Sequence, residues 1–407
     1  FLAFLGGSAP RLAARSDTIV LSVWSFSDEV KKFVDRFENT YHGVKFDLTI
    51  IPYEEYLNKL KSAMKSGKNL PDLFTGEYGQ IKEIVESGYW EDLSAAPYKA
   101  DVSDMFPYLV QVGTDSKGKL RGLSWQITPG GFYFRRSAAR KYLGTDVPEN
   151  IGKMISTPEK FLATARRLKK KSGGKVKMIA GYSDYMQYPF AARTGPFVAK
   201  NNRLTIEPPI RDYFDMAKTM HDEGLTAGIT MWSPPWFKMM YSDDPEFLGF
   251  FLPPWGLHYV IKPNAHDTDG DWGLCRGPGS FFWGGTWMGI CSRSKYKKAA
   301  WEFLKFCTLD RENLRWWAKK TGDVVSSISV CKKIQANFSD PLLNGQNHYK
   351  FFTEQALRLK DSFSTPHTLE IQNYMQGAVK EYVNGKLNNG RRLINGGEIP
   401  KNILIRM

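Results

Sequence analysis

Between residues 19 and 79 the apolar positions switch between two periods, and the switching predicts a β-α-β-α-β succession. Ile19 to Trp24 form a short apolar run of the kind found in a buried strand. A polar loop, Ser25-Phe26-Ser27, leads to a helix whose first turn carries Asp28 and Glu29, acids that complement the positive end of the helix dipole. Val30, Phe33, Val34 and Phe37 recur at helical spacing, and Val44, Phe46, Leu48 and Ile50 then alternate as a half-buried strand does. A second helix is expected from about Glu54, with Leu57, Leu60, Ala63 and Met64 inward and a stop near Gly67. Leu70 to Thr75 reads as a strand entered through Pro71, with Gly76 to Gly79 as the loop at its carboxyl end, where α/β sheets bind ligands. The succession is that of an α/β protein.

Farther along, Leu120 to Gln126 and Gly131 to Arg135 read as strands around Pro129-Gly130, where the chain is expected to leave one lobe for another. Helices are expected around Pro158 to Lys171, Ile210 to Glu223 and Leu369 to Val383, and Gly181 to Phe197 reads as a tyrosine-rich loop. From near Ser294, Tyr296, Ala300, Phe303 and Cys307 follow at spacings of four, three and four, which puts them on one helix face. Neither an internal repeat nor a low-complexity linker is visible. Two lobes crossed several times by one chain are the expected organisation.

At 407 residues and 42% hydrophobic, the chain is long enough to bury a core without staples. Its longest apolar stretch, Leu248 to Ile261, is broken by Pro253 and Pro254, so no membrane span is expected. Phe1 to Arg15 lack acids and pass from apolar to small residues, as the tail of a secretory signal peptide does, which puts the expected mature start near Asp17. The net charge of +14 comes from dispersed Lys and Arg; the densest run, Lys169 to Lys171, ends a predicted helix, where cations are favoured. A solvated basic surface is the reading. Cys275, Cys291, Cys307 and Cys331 stand among apolar neighbours without a Cys-x-x-Cys pair, and are read as free buried thiols.

Motifs for metal, phosphate or nucleophilic chemistry fail in detail. Gly113 to Lys119 approximates a phosphate loop, but Leu120 replaces the metal-binding hydroxyl, which leaves a turn before a strand. Asp267, Asp269 and Asp271 open like a calcium loop, yet Trp272 stands where the sharp-turn glycine belongs. There is no His-Glu-x-x-His and no Gly-x-Ser-x-Gly. The remaining signal is aromatic. Tyr78, Trp125, Tyr185, Trp232, Trp255, Trp283 and Trp287 stand in expected loops, many of them beside Gly or Pro. Flat rings in a cleft present apolar faces to the C–H faces of a sugar, while amides and carboxylates take its hydroxyls. Trp283 beside Gly284 and Gly285 also lets a ligand approach the backbone closely. Glu77 and Asp72 are the acids expected nearest such a cleft.

Several blocks, taken in order, carry a family resemblance: Ile19-Val-Leu-Ser-Val-Trp-Ser-Phe26, Leu70-Pro-Asp-Leu-Phe74, Gly122-Leu-Ser-Trp-Gln-Ile127, Gly277-Pro-Gly279, the glycine-tryptophan strand, Ala299-Ala-Trp-Glu-Phe-Leu-Lys-Phe306 and Trp317-Ala-Lys-Lys-Thr-Gly322. Together they resemble the carbohydrate-type extracellular solute-binding proteins (family 1) that serve ABC importers. The resemblance implies a type II periplasmic-binding-protein fold: two α/β lobes, hinge-linked, with a central ligand cleft. Residues 17–127 with 285–321 would form lobe I, 128–284 with 322–407 lobe II, and 1–16 the leader. The implied function is capture of a sugar or oligosaccharide by hinge closure and delivery to the importer's membrane permease. Catalysis, cofactor, metal and nucleic acid have no part in it, and the protein would act as a monomer in the periplasm or elsewhere outside the cytoplasm.

Ser25, Phe26, Glu77 and Tyr78 are then expected at the ligand on strand-end loops, Trp125 and Gln126 near the first crossover, Trp255 after the proline pair, and Trp283, Gly284 and Gly285 at the second crossover. Tyr185 of the tyrosine-rich loop joins them. Ser124 replaces the family's proline, Pro245 to Phe251 replace an expected helix, and Asp323 follows Gly322 where the family has proline, so the cleft shape and the sugar are left open. Two alternatives stand beside this reading: a glycoside-active enzyme using Glu77 with a second carboxylate, and a binder of an anionic ligand suggested by the charge alone.

Overall fold

In the computed structural model, which describes residues 18–197, 205–359 and 363–386, the opening succession folds as its periodicity predicts. β1 (Ile19–Ser25), α1 (Val30–Thr40), β2 (Val44–Ile50), α2 (Tyr53–Ser66) and β3 (Leu73–Glu77) follow one another. Val30, Phe33, Val34 and Phe37 are all buried along α1. Gly67 ends α2 with φ +65°, a left-handed conformation that a side chain would oppose. The expected leader lies outside the described residues.

Five expectations need correction. On α2, Tyr56 rather than Leu57 is fully buried, because its hydroxyl donates to the Thr75 carbonyl at 2.6 Å and accepts the Thr75 N–H at 3.1 Å. The loop expected at Gly76 to Gly79 does not form. Instead β3 runs directly into α3 (Tyr78–Glu86), whose first turn is capped by Glu77. The strand expected over Leu120 to Gln126 shortens to β4 (Leu123–Ser124), since Leu120 closes a turn with Thr114 and Trp125 onward pairs elsewhere. The tyrosine-rich loop contains helical turns at Tyr182–Tyr185 and Gln187–Ala191. Tyr296 precedes the helix Lys297–Thr308 and is 44% exposed, whereas Ala300, Phe303 and Cys307 are buried as expected.

The remaining strands are β5 (Gly131–Arg135), β6 (Gly249–Leu252), β7 (Trp272–Cys275) and β8 (Thr286–Ile290). The first sheet has the order β2-β1-β3-β8-β4; β1 is parallel to β2 and β3, and β8 is antiparallel to β3 and β4. The second sheet, β6-β5-β7, is antiparallel. Its central strand is buried on both faces. Phe132 and Phe134 enter one apolar cluster with Phe161, Phe214 and Met375, while Tyr133 enters the larger cluster that continues into the first sheet. All four cysteines are buried and unpaired. Asp271, of the acid triplet, pairs with Arg135 at 2.7 Å. No described helix is long and apolar enough to cross a membrane.

The chain passes from the first sheet to the second between Ser124 and Gly131, and returns between Cys275 and Thr286. Residues 125–130 are extended and bonded to two other segments. Ile127 N–H donates to the Val324 carbonyl and Ser326 N–H to the Trp125 carbonyl, each at 2.9 Å. Gly130 N–H donates to the Phe281 carbonyl at 2.8 Å, and Trp283 N–H to the Thr128 carbonyl at 3.1 Å. Neighbouring side chains of an extended segment point to opposite sides. Trp125 accordingly packs into the core, 5.4 Å from the Phe33 ring, which stacks at 4.1 Å on Trp317. Replacing Trp125 by Ala should therefore cost about 3–5 kcal/mol of stability, read as a fall in the denaturant midpoint at unchanged slope.

Candidate functional site

Where the carboxyl ends of β1 and β3 meet the crossing segments, a cavity of about 620 Å³ opens. Phe26, Ser27, Asp28, Glu29, Tyr53 and Glu77 form one wall and Trp232, Trp255 and Tyr259 the other. Gln126 and the stretch from Trp283 to Thr286 lie between them.

Local hydrogen bonds set the first wall. The buried Ser25 hydroxyl donates to the Ser27 carbonyl at 2.8 Å and accepts the Ser27 N–H at 3.1 Å, a tight turn that sends Phe26 and Ser27 into the cavity. The Phe26 ring meets Tyr53 and Tyr56 edge-on at 5.8 and 5.6 Å. Glu77, opposite Thr286 in the β3–β8 ladder, accepts the Gly79 N–H at 2.6 Å and the Tyr53 hydroxyl at 3.2 Å. Burial pushes its carboxyl up to about 7 against the opposing pull of those hydrogen bonds. Burial also raises Glu29, which lies beside Tyr259 and Lys32, and its Oε1 makes no hydrogen bond within the protein.

The floor comes from the crossings. Gln126 is 4% exposed, and its Oε1 likewise has no protein partner. The Ser124 hydroxyl donates to the Gln126 carbonyl at 3.0 Å and accepts the Gln126 N–H at 3.3 Å, which holds the residue in place. Gly284 and Gly285 have φ of +71° and +107°. A Cβ at Gly284 would stand 3.2 Å from Trp255 Nε1, and one at Gly285 3.1 Å from the Trp287 ring. Both positions need glycine.

Indole rings form the second wall. Trp255 Nε1 donates to the Trp283 carbonyl at 3.1 Å, and the two rings meet edge-on at 5.2 Å. Trp232 lies nearly parallel to Trp255, at 6.1 Å and 17°. It is 45% exposed and has φ of +68°, a left-handed backbone that costs a bulky residue about 1–3 kcal/mol. Tyr259 sits in a π turn, Leu257–Ile261, inside the helical stretch that starts at Pro254–Gly256. Such turns shift which side chains face a site.

Of the residues expected at a ligand, Phe26, Glu77, Gln126, Trp255, Trp283, Gly284 and Gly285 are brought together here. Ser25 lies beneath as a support. Trp125 is buried in the core, on the opposite side of its strand from Gln126. Tyr78 begins α3 and turns away, meeting Phe282 at 4.4 Å and Ser364 Oγ at 2.8 Å, and lines a separate cavity of about 420 Å³. Tyr185 is buried in the second cluster, 4.9 Å from Phe161. Asp72 lies at the other end of β3, where it holds Ser22 N–H at 2.9 Å and the Ser294 hydroxyl at 2.6 Å. The expectations did not include Ser27, Asp28, Glu29, Tyr53, Tyr259 or Thr286 as site residues. Trp232 was visible as a loop aromatic before Ser233-Pro234-Pro235 but was not singled out. Asp28 and Glu29 look in sequence like any acids of a first helical turn, and Tyr259 has no local signal. A further cavity of about 600 Å³, near Asp104 and Arg311, has its polar groups engaged with one another, Asp104 binding Arg311 at 2.8 Å and Ser327 at 2.6 Å.

Residues 32–340 match the profile of a family described as bacterial extracellular solute-binding protein. Among solved structures, one described as extracellular solute-binding protein family 1 superposes with a TM-score of 0.81 at 19% identity, covering 92% of this chain and 96% of that one. The sugar-binding protein MalE of Xanthomonas citri gives 0.76 at 17% identity, with 95% and 98% covered. The galacto-N-biose-/lacto-N-biose I-binding protein of Bifidobacterium longum, in complex with lacto-N-biose, gives 0.71 at 16% identity, with 90% and 92% covered. At such identities the likeness is one of fold: the two-lobed α/β periplasmic-binding-protein architecture.

Because the Glu77 carboxyl holds its proton up to about 7, against about 4.3 for an exposed glutamate, the folded state binds that proton more tightly than the unfolded chain does. Its stabilising contribution is complete below about pH 4 and is lost as pH rises toward about 7. Glu77→Gln keeps an acceptor for the Gly79 N–H and has no proton to lose. Its Tm relative to the parent should rise between about pH 4 and pH 7 and level off above that in thermal unfolding.

Proposed function

The chain belongs to the bacterial extracellular solute-binding protein family, and from that membership and the chemistry of the cleft we propose that it captures a saccharide outside the cytoplasm and delivers it to the membrane permease of an ABC importer. The observation that carries the reading is the pairing of the Trp232, Trp255 and Trp283 rings with the side-chain oxygens of Glu29, Glu77 and Gln126 around one cavity. Rings of this kind stack on the C–H faces of a pyranose, and acceptors at their edges take its hydroxyls. Two of the structural relatives support the same ligand class, one described as sugar-binding and one as holding lacto-N-biose.

The lobes proposed are residues 17–127 with 285–321 and 128–284 with 322–407. The hinge is the set of paired segments around 125–130, 281–285 and 322–326. Closure would bring the indole wall toward Phe26 and Glu77 and strip water from the ligand, and the permease would read the closed shape. Within this reading Ser25 and Trp125 hold contact residues in place, and Tyr78 and Tyr185 serve the lobes rather than the sugar. An anionic ligand is disfavoured by a lining that, among the described residues, holds three acidic side chains and no Lys, Arg or His.

Calorimetric titration with a saccharide panel tests the proposal, with product analysis of the same mixtures. Stoichiometric capture without hydrolysis is expected; tight binding of a peptide or metal, with no saccharide bound, would overturn it. Trp232 gives a sharper check, since its strained backbone is explained by what its ring does. Trp232→Gly should weaken saccharide binding about tenfold, the equivalent of one lost stacking contact. Its Tm should fall by only a few degrees, because relief of the left-handed strain offsets much of the packing lost on Trp236 and Trp255.

A further inference from the structure

We propose that the saccharide selected by this cleft carries a protonated amine, as an amino sugar does. The proposal rests on the saccharide reading above and names the class of sugar. It starts from a contrast in charge. The chain as a whole carries +14, yet Asp28, Glu29 and Glu77 line the cavity and, among the described residues, no Lys, Arg or His does. The nearby cation, Lys32, lies outside the lining, with its ammonium 5.8 Å from the Trp317 ring. The hydroxyls of a neutral sugar can donate to these oxygens too, but none of them brings a charge to set against the acids. Burial already favours the neutral form of Glu29 and Glu77, and a ligand that brings positive charge into the closed cleft is the one that would restore their ionised form.

Independently of the acids, Gln126 is 4% exposed and faces the cavity with an Oε1 that makes no protein hydrogen bond. A buried acceptor in that state calls for a donor from the ligand. Glu29, whose carboxyl interacts with the Tyr259 hydroxyl, also keeps its Oε1 unbonded. The indole faces of Trp232, Trp255 and Trp283 suit the same occupant, since tryptophan is the best aromatic platform for an ammonium group. An ammonium beside Glu77 or Glu29 would hold that carboxylate ionised and supply up to three N–H donors to the acceptors around it. Burial that raises Glu77 in the empty cleft would then be offset by the ligand's charge.

The test is calorimetric titration at pH 7 with glucosamine and galactosamine, their N-acetyl derivatives and the corresponding neutral hexoses, each as monosaccharide and disaccharide, with spermidine as a non-sugar amine. The amine-bearing sugars should bind at least about tenfold more tightly than their N-acetyl and neutral counterparts, the scale of a charge-assisted hydrogen bond. Added salt should narrow that ratio. Asp28→Asn, at an exposed rim position, and Glu77→Gln should each narrow it severalfold, with Tm reporting that the variants are folded. Equal or tighter binding of the N-acetyl or neutral sugars would overturn the amine preference and leave the saccharide reading intact. Capture of spermidine with no sugar bound, or no binding at all, would overturn both.

Discussion

Four backbone hydrogen bonds on one extended segment set the geometry on which the rest depends. Residues 125–130 are tied through 125–127 to 324–326 and through 128–130 to 281–283. The two passages between the sheets and residues 324–326 thereby share one set of backbone bonds. The strength of each bond is modest, about 1 kcal/mol net, but together they fix which way every second side chain points. One face of the ladder closes the core with Trp125 and Ile127, both fully buried. The other presents Gln126 to the cavity.

The same ladder explains why glycine follows tryptophan at 283–285. With Trp283 N–H held by Thr128 and the Gly284 carbonyl accepting the Thr128 hydroxyl at 3.1 Å, the chain must turn through two left-handed residues before β8 begins. Trp255 then packs against the bare backbone and donates to the Trp283 carbonyl. The indole wall is thus built outward from the paired segments. Trp232, at its rim, keeps a backbone conformation that costs stability, and strain of that kind persists where the surrounding structure or a function requires it.

Charge is distributed against the average of the molecule. A basic exterior surrounds an acidic, aromatic cleft, so the net charge says little about the ligand. Glu77 shows how the local terms combine: its position as the last residue of β3 and cap of α3 gives it a short backbone hydrogen bond that favours ionisation, yet burial outweighs that bond and holds the proton near neutrality. Electrostatics inside the cleft answer to desolvation and neighbours.

Much of the scaffold was legible in the sequence, because helix and strand periods are local. The apolar stripe of α1, the glycine stop of α2, the helix Pro158–Lys171 and the chain's departure at Pro129-Gly130 all follow from spacing and punctuation within a few residues. Part of the site was legible for the same reason, since a tryptophan beside two glycines and an acid at a strand end carry their own signal. What the sequence could not resolve was direction. Trp125 and Gln126 are neighbours and both were candidates, but an extended backbone sends one inward and the other outward, and only the pairing with 324–326 decides which. Tyr185 and Trp232 look alike as loop aromatics. The second apolar cluster takes one, and the cavity mouth takes the other, because burial depends on elements distant in the chain. By itself the sequence determined many of the elements, the class of fold and the stock of rings and acids. Tertiary structure alone decided which of them converge, since convergence is set by long-range pairing and packing that no local pattern encodes.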